Sequence, residues 1–114
     1  MGCVGQYLEA VSTHDWEAAR ACLAEEVVRV GPFGDTYRGR DDYLESLRRL
    51  MEGLKGYRMD LGRIVASDDG RTFTAELTET VEMDGRTVLT PECLVFDLDD
   101  SAVIAGIRIY IQKL

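Results

Sequence analysis

The chain has 114 residues, of which 46% are hydrophobic and 30% charged, and its formal net charge at pH 7 is -8. This length suits a single domain, 1–114, and the acidic balance disfavours nucleic acid and anionic membranes as partners, because binding phosphate needs clustered Lys and Arg. No apolar run approaches the ~20 residues that cross a bilayer, and the N-terminus lacks the pattern of a secretory signal. Three cysteines without a CxxC spacing then predict reduced thiols and a cytoplasmic location.

Helical spacing and turn-forming residues organise the first half of the chain. Apolar residues recur on one stripe of residues 3–11, and Asp15 is a favoured N-cap for a second short helix. A third helix begins at Asp41 or its neighbour, and Gly53 and Gly56 end it. A valine-rich strand lies between the second and third helices, and a turn with glycine and proline leads to a shorter strand. These elements cover residues 3–11, 16–23, 27–30, 36–38 and 41–54.

The second half of the chain changes to the two-residue period of strands, with short acidic or Asp-Gly joints that are typical of hairpins. Long strands joined only by hairpins make a strongly twisted antiparallel sheet. The sequence therefore predicts an α+β fold in which a cone-shaped, strongly curved sheet wraps around three N-terminal helices and encloses an apolar cavity. The predicted strands cover residues 57–67, 72–83, 86–98 and 102–113.

Glu79 interrupts an otherwise apolar face of the second of these strands. On that face every second residue from Phe73 to Met83 is apolar except Glu79, whereas the opposite face is polar throughout. A carboxylate inside such a row has to be paired, protonated or functional, because burying an unpaired charge is costly. Burial among apolar neighbours raises a carboxyl pKa, as acid-base catalysis requires. The alternatives are a salt bridge near the sheet edge or a bulge that turns Glu79 outward.

Glu92 is the corresponding exception on the next strand. It follows Pro91, which removes one ladder hydrogen bond and favours a bulge or a sheet edge. Two glutamates that face inward on adjacent strands would share a proton and serve as base and acid; the alternative for Glu92 is an exposed carboxylate at the rim. Tyr7, on the inner edge of the first helix, is either a hydrogen-bond donor into the cavity or a core aromatic with its hydroxyl in water.

The remaining polar residues predict no further catalytic or metal-binding site. His14 lies in a turn, where a solvated histidine is the usual finding, and Arg108 alternates with Tyr110 on a face that suits solvent or a second copy of the chain. One histidine among scattered carboxylates gives no metal-ligand spacing, and the sequence contains no GxSxG, GxGxxG, P-loop or HExxH motif. The sequence therefore predicts no metal and no cofactor.

Several runs, in this order, resemble the SnoaL-like and ketosteroid-isomerase-like branch of the nuclear transport factor 2-like superfamily. The resemblance extends over nearly the whole chain, and it implies the cystatin-like α+β roll more specifically than it implies any activity. The runs that carry it are YLEAV at 7–11, HDW at 14–16, LAEEVV at 23–28, GPFG at 31–34, YRGR at 37–40 and IRIY at 107–110.

The resemblance carries no complete catalytic set onto this chain. The oxyanion-hole phenol of ketosteroid isomerases falls on Tyr7, but the general-base aspartate falls on Gly31 and the second aspartate near Cys93 or Leu94. The Asp-Arg-Asp set of limonene-type epoxide hydrolases has one acid near Glu79. Its arginine falls on Leu77 and its other acid on Ile109, and the cyclase aspartate of the last strand is also missing.

The sequence thus predicts a small-molecule-binding domain that acts as a cofactor-free acid-base enzyme, of the isomerase, cyclase or epoxide hydrolase type, on an apolar substrate. The alternative is a non-catalytic ligand-binding or dimerisation module. The expected partners are a small apolar molecule and a second copy of the chain, joined through the outer sheet face. Glu79, Tyr7 and Glu92 are the candidate catalytic residues. The predicted pocket-lining residues are Trp16, Phe33, Tyr57, Leu77, Leu94, Phe96, Ile107 and Ile109.

Overall fold

The computed structural model describes residues 2–112 and confirms the α+β class, with helices packed on a curved sheet. No helix among these residues is long and apolar enough to cross a membrane. The described helices are α1 (Cys3–Ser12), α2 (Trp16–Ala21) and α3 (Arg40–Glu52). The described strands are β1 (Leu23–Val30), β2 (Thr36–Arg38), β3 (Lys55–Ala66), β4 (Thr72–Met83), β5 (Arg86–Leu98) and β6 (Ile104–Ile111).

Local chemistry sets the ends of these elements. The Asp15 side chain accepts a hydrogen bond from the Ala18 backbone N–H at 3.2 Å, which confirms Asp15 as the N-cap of α2. Gly53 caps the C-terminal end of α3, as predicted. In the β4–β5 turn both Asp84 and Gly85 have positive φ, the backbone that Asp-Gly hairpins adopt. The three hairpins therefore form at the acidic joints, as predicted.

The sheet contains more than the predicted four-strand meander. Its strand order is β2-β1-β6-β5-β4-β3, and β1 runs parallel to β6, so the sheet is mixed and not purely antiparallel. Hairpin signals identify antiparallel neighbours only, whereas a parallel pair is joined by a long connection that leaves no local mark. The prediction of an antiparallel meander was right for β3 to β6 and missed the pairing that adds β1 and β2 to the same sheet.

The last strand departs from the predicted alternation. The register between β5 and β6 shifts after the pair Leu98–Ile104, and as a result Ile104 and Ile107 are both buried. Strict alternation along the strand predicts Ile104 on the same face as Arg108, and this prediction is wrong because a bulge reverses the facing of the residues before it. This bulge brings Ile104 into the core and leaves Ile107, Ile109 and Ile111 on the inner face.

The core lies between the inner face of the sheet and the three helices. Its largest fully buried side chains come from β1, β5 and β6, and helix residues such as Tyr7, Leu8 and Tyr43 pack against them. The long hairpins extend past this cover, so several apolar side chains of β3, β4 and β5 stay exposed. These exposed side chains are Leu61, Ile64, Val65, Met83, Val88 and Leu89.

Candidate functional site

A cavity of about 360 Å³ lies between the helices and the inner face of the sheet. Apolar side chains form most of its wall, and a small group of polar residues projects into it, which is the usual composition of a small-molecule site. Phe33 and Leu50 line it and are also strongly exposed, so they mark its mouth. The polar lining residues are Tyr7, Arg29, Tyr43, Tyr57, Glu79, Thr90 and Glu92.

Strand register brings Glu79 and Glu92 to the same face. Glu92 pairs with Leu77, which lies two residues before Glu79 on β4, so the two glutamates are diagonal neighbours on the inner face. The β4–β5 register continues without a shift from Thr72 to Met83, so neither glutamate is turned outward by a bulge. The structure thus places both carboxyl groups in the cavity wall.

Pro91 does not interrupt this register. Its carbonyl accepts a hydrogen bond from the Gln112 backbone N–H at 2.9 Å, so the side of Pro91 that lacks an N–H faces the end of β6. In an antiparallel ladder the N–H and C=O of one residue point to the same neighbour. Because β6 ends at Ile111, the N–H that Pro91 lacks would lie at the point where the β5–β6 ladder stops. Pro91 therefore introduces neither a bulge nor an unpaired partner within the strand.

The two glutamates form one hydrogen-bonded cluster with Tyr57. The Tyr57 hydroxyl donates to Glu79 Oε2 at 2.5 Å, and Glu92 is hydrogen-bonded to Glu79. Burial, followed by the hydrogen bond and the charge of Glu79, raises the pKa of Glu92 to about 9, although Arg29 opposes the shift. Burial and the charge of Glu79 also raise the pKa of Tyr57. A carboxyl group with this pKa holds its proton at neutral pH, so the cavity wall contains an acid beside Glu79.

Tyr7 lies in the same cavity and is joined to a second tyrosine. Its hydroxyl lies 2.5 Å from that of Tyr43 on α3, and its ring packs edge-on against Phe96 at 5.8 Å. Burial raises the pKa of both hydroxyl groups. The Tyr7 hydroxyl thus points to a protein partner and not to bulk water, and the structure brings it into the wall that also carries Glu79 and Glu92.

Arg29 and Tyr43 are polar lining residues that the sequence reasoning did not select. Arg29 shares the inner face of β1 with fully buried Val27, two residues earlier, and that alternation was the available signal. The spacing of apolar residues on the third helix predicts a buried Tyr43, but its hydroxyl partner becomes visible only when α1 and α3 are packed together. Both residues follow from tertiary structure more than from local pattern.

The predicted lining residues divide into two groups. Phe33, Tyr57, Leu77, Leu94 and Ile109 line the cavity. The other three were placed wrongly by the sequence reasoning. Phe96 and Ile107 share the inner face but are packed solidly under the helices, with 0% and 1% of their surface exposed. Trp16 lies beside α3 on another surface and stacks on the exposed His14 ring at 5.7 Å. Alternation along a strand predicts the face of a residue but not how far the cavity extends along it.

No group of three or more His, Cys, Asp or Glu side chains within the described part of the chain is arranged to hold a metal ion. The polar groups that face the cavity are those of carboxyl, phenol, hydroxyl and guanidinium side chains. Side chains of these types transfer protons and form hydrogen bonds without any added group.

The chain is similar to one known family and to several solved structures. The model of the SnoaL-like domain matches residues 4–105. An epoxide hydrolase of M. tuberculosis, described as LEH-like, is 27% identical with a TM-score of 0.81, covering 96% of this chain and 80% of its own. A candidate polyketide cyclase of Xanthomonas campestris pv. campestris is 29% identical with a TM-score of 0.79. The match covers 95% of this chain and 86% of the cyclase chain.

A bacterial protein with a cystatin-like fold from Silicibacter pomeroyi is 20% identical with a TM-score of 0.79, covering 97% of this chain and 74% of its own. At that identity the likeness shows the fold alone, and it agrees with the cystatin-like roll that the sequence predicts. No curated protein matches the sequence.

Proposed function

The chain belongs to the SnoaL-like domain family, and we propose that it is a cofactor-independent acid-base enzyme that acts on a small apolar substrate bound in the cavity. The reaction would be an isomerisation, a cyclisation or the opening of an epoxide. The observation that carries the proposal is the cluster of Glu79, Glu92 and Tyr57 in the wall of a largely apolar cavity.

The cluster provides complementary proton-transfer roles. Glu79 is the base, because Tyr57 and Glu92 both stabilise its carboxylate by hydrogen bonds. Glu92 is the acid, because it keeps its proton at neutral pH. When Glu79 removes a proton from the substrate, Glu92 donates a proton to the atom on which negative charge develops. Glu92 donates this proton either directly or through Glu79. Tyr7 is the candidate donor at the helix side of the same cavity.

A non-catalytic ligand-binding or dimerisation module is the second candidate function. It is favoured by the absence of acidic side chains at Gly31 and Ile109, where the family resemblance expects acids. In that case the cavity would select a ligand and the glutamate cluster would only help to fix the strands.

The proposal includes one further partner and a location. A second copy of the chain would pack on the outer face of the sheet, where Val65, Leu89 and Tyr110 are about half exposed. A cytoplasmic location is supported by three cysteines that are all unpaired. The net charge of -8 argues against nucleic acid and anionic membranes as partners.

The proposal is tested by hydrogen exchange on neutral probes in heavy water. A bulky cyclic ketone, 2-decalone, is incubated with the protein, and exchange at the carbons next to the carbonyl is followed by NMR; a cyclic terpene epoxide is tested in parallel for ring opening. We expect exchange or ring opening with the wild type and a loss of about 100-fold or more with Glu79→Gln, because a positioned base contributes about that much.

Glu76→Gln is the matched control. Glu76 lies on the same strand, three residues from Glu79, but its exposed side chain pairs with Arg63 on the outer face. It should leave the rate unchanged. If the probes raise the melting temperature equally in the wild type and in Glu79→Gln, and none is turned over, the ligand-binding module replaces the enzyme.

A further inference from the structure

Arg29 places a fixed positive charge in the cavity wall. Its side chain is only 14% exposed, and Nη1 donates to Asp35 Oδ2 at 2.5 Å. The guanidinium also lies over the rings of Tyr37 and Tyr43, at 5.7 and 5.9 Å from their centres. A buried cation is stable only with partners of this kind. Arg29 is therefore held in one orientation from several sides.

Gly31 makes room for this arrangement. A Cβ at position 31 would lie 2.5 Å from Asp35 Oδ2 and 2.6 Å from Arg29 Nη1, which is closer than atoms approach. The backbone N–H of Gly31 also donates to the Asp35 carbonyl at 2.7 Å. The loop between β1 and β2 is thus built around the ion pair, and the guanidinium is positioned before any ligand arrives.

The resident partners do not use all of the donors of Arg29. A guanidinium has five N–H donors. Asp35 takes one from Nη1, and the buried Nε finds no acceptor within residues 2–112. The charge acts within the cavity, since it lowers the pKa of Glu92 against the effect of burial. Arg29 lines the cavity and is largely shielded from water, so an anionic group of a ligand would gain a strong contact with the guanidinium.

We propose that Arg29 anchors a carboxylate of the ligand, and that the natural substrates are therefore apolar carboxylic acids and not neutral hydrocarbons or alcohols. This inference rests on the proposed function only in placing the substrate in the same cavity. The planar guanidinium matches a carboxylate with two parallel hydrogen bonds. The apolar part of the cavity wall accommodates the hydrocarbon part of such a molecule.

The test compares two probes of equal length, decanoate and 1-decanol, by titration calorimetry at pH 7. We expect the wild type to bind decanoate at least about tenfold more tightly than decanol, the difference that a charge-assisted hydrogen bond makes. Arg29→Gln should remove the preference. Arg108→Gln is the matched control, because Arg108 also pairs with an aspartate at 2.5 Å but lies on the outer face. It should keep the preference.

Equal affinity of the wild type for both probes, or a preference that survives Arg29→Gln, would overturn the inference. If Arg29→Gln fails to fold, Asp35→Asn gives the answer, because it keeps Arg29 and removes the anion that competes for it. The preference for decanoate should then increase, and a decrease would count against Arg29. If the exchange test with neutral probes gives a negative result, this binding preference is unaffected. Each proposal can therefore fail without the other.

Discussion

Glu92 lies diagonally across from Glu79 on the inner face of the sheet, and the two side chains are joined by a hydrogen bond. Burial and this neighbour together keep Glu92 protonated at a pH where a carboxyl group is normally ionised. This relationship determines what the cavity can do chemically, and it also makes the stability of the fold dependent on pH.

Replacing Glu92 with Gln should remove a pH dependence of stability. The pKa of Glu92 is raised to about 9 in the folded protein against 4.5 for the free group, so the folded state binds an extra proton between these values. Its contribution to the free energy of unfolding is complete below about 4.5 and is lost as pH rises toward about 9.

Urea titrations at several pH values measure this effect. The wild type should lose stability with rising pH relative to Glu92→Gln, and the difference between the two should change most between pH 5 and 9. Parallel curves for the two proteins across that range would show that Glu92 does not retain its proton in the fold.

Replacing Tyr57 with Phe should destabilise the protein by about 1.5–3 kcal/mol, the usual contribution of a hydrogen bond to a charged group. The change removes the 2.5 Å bond to Glu79 and leaves that carboxylate short of a donor. Tyr110→Phe is the control, since Tyr110 is 56% exposed on the outer face and should cost within about 0.5 kcal/mol. Similar losses for both variants, measured in urea, would show that the bond to Glu79 contributes little.

The outer face of the sheet should mediate dimerisation. Leu89 is 49% exposed there, beside buried Thr80, whose hydroxyl has no partner among the described residues. Leu89→Lys places a charge in the proposed interface and should shift the mass toward the monomer, as measured by light scattering over a range of concentrations. Leu50→Lys, at the cavity mouth, should leave the mass unchanged. A wild type that is monomeric at every concentration would contradict the proposed dimer.

Local sequence signals account for most of the fold and for part of the site. The two-residue period and the Asp-Gly joints predict the long hairpins, and the break in an apolar face at Glu79 predicts a carboxyl group that the structure places in the cavity. These features depend on residues close in sequence. Turn and strand chemistry can therefore be read without knowledge of the tertiary structure.

The rest depends on contacts between distant segments. The parallel pairing of β1 with β6 decides that Arg29 faces the cavity, and the packing of α3 on α1 decides that Tyr43 reaches Tyr7. Likewise the bulge in β6, between Ile104 and Gly106, decides that Ile104 is buried. None of these contacts is a property of a single segment, so periodicity alone could not predict them.

The most direct test of this account is a carbon-13 NMR titration of the Glu92 carboxyl group in the wild type and in Glu79→Gln. We predict that Glu92 titrates near pH 9 in the wild type. In Glu79→Gln its pKa should fall, because the charge of Glu79 is gone while the burial remains. A Glu92 that titrates near 4.5 in the wild type would contradict the shared proton. That result would also contradict the acid-base role proposed for the cavity.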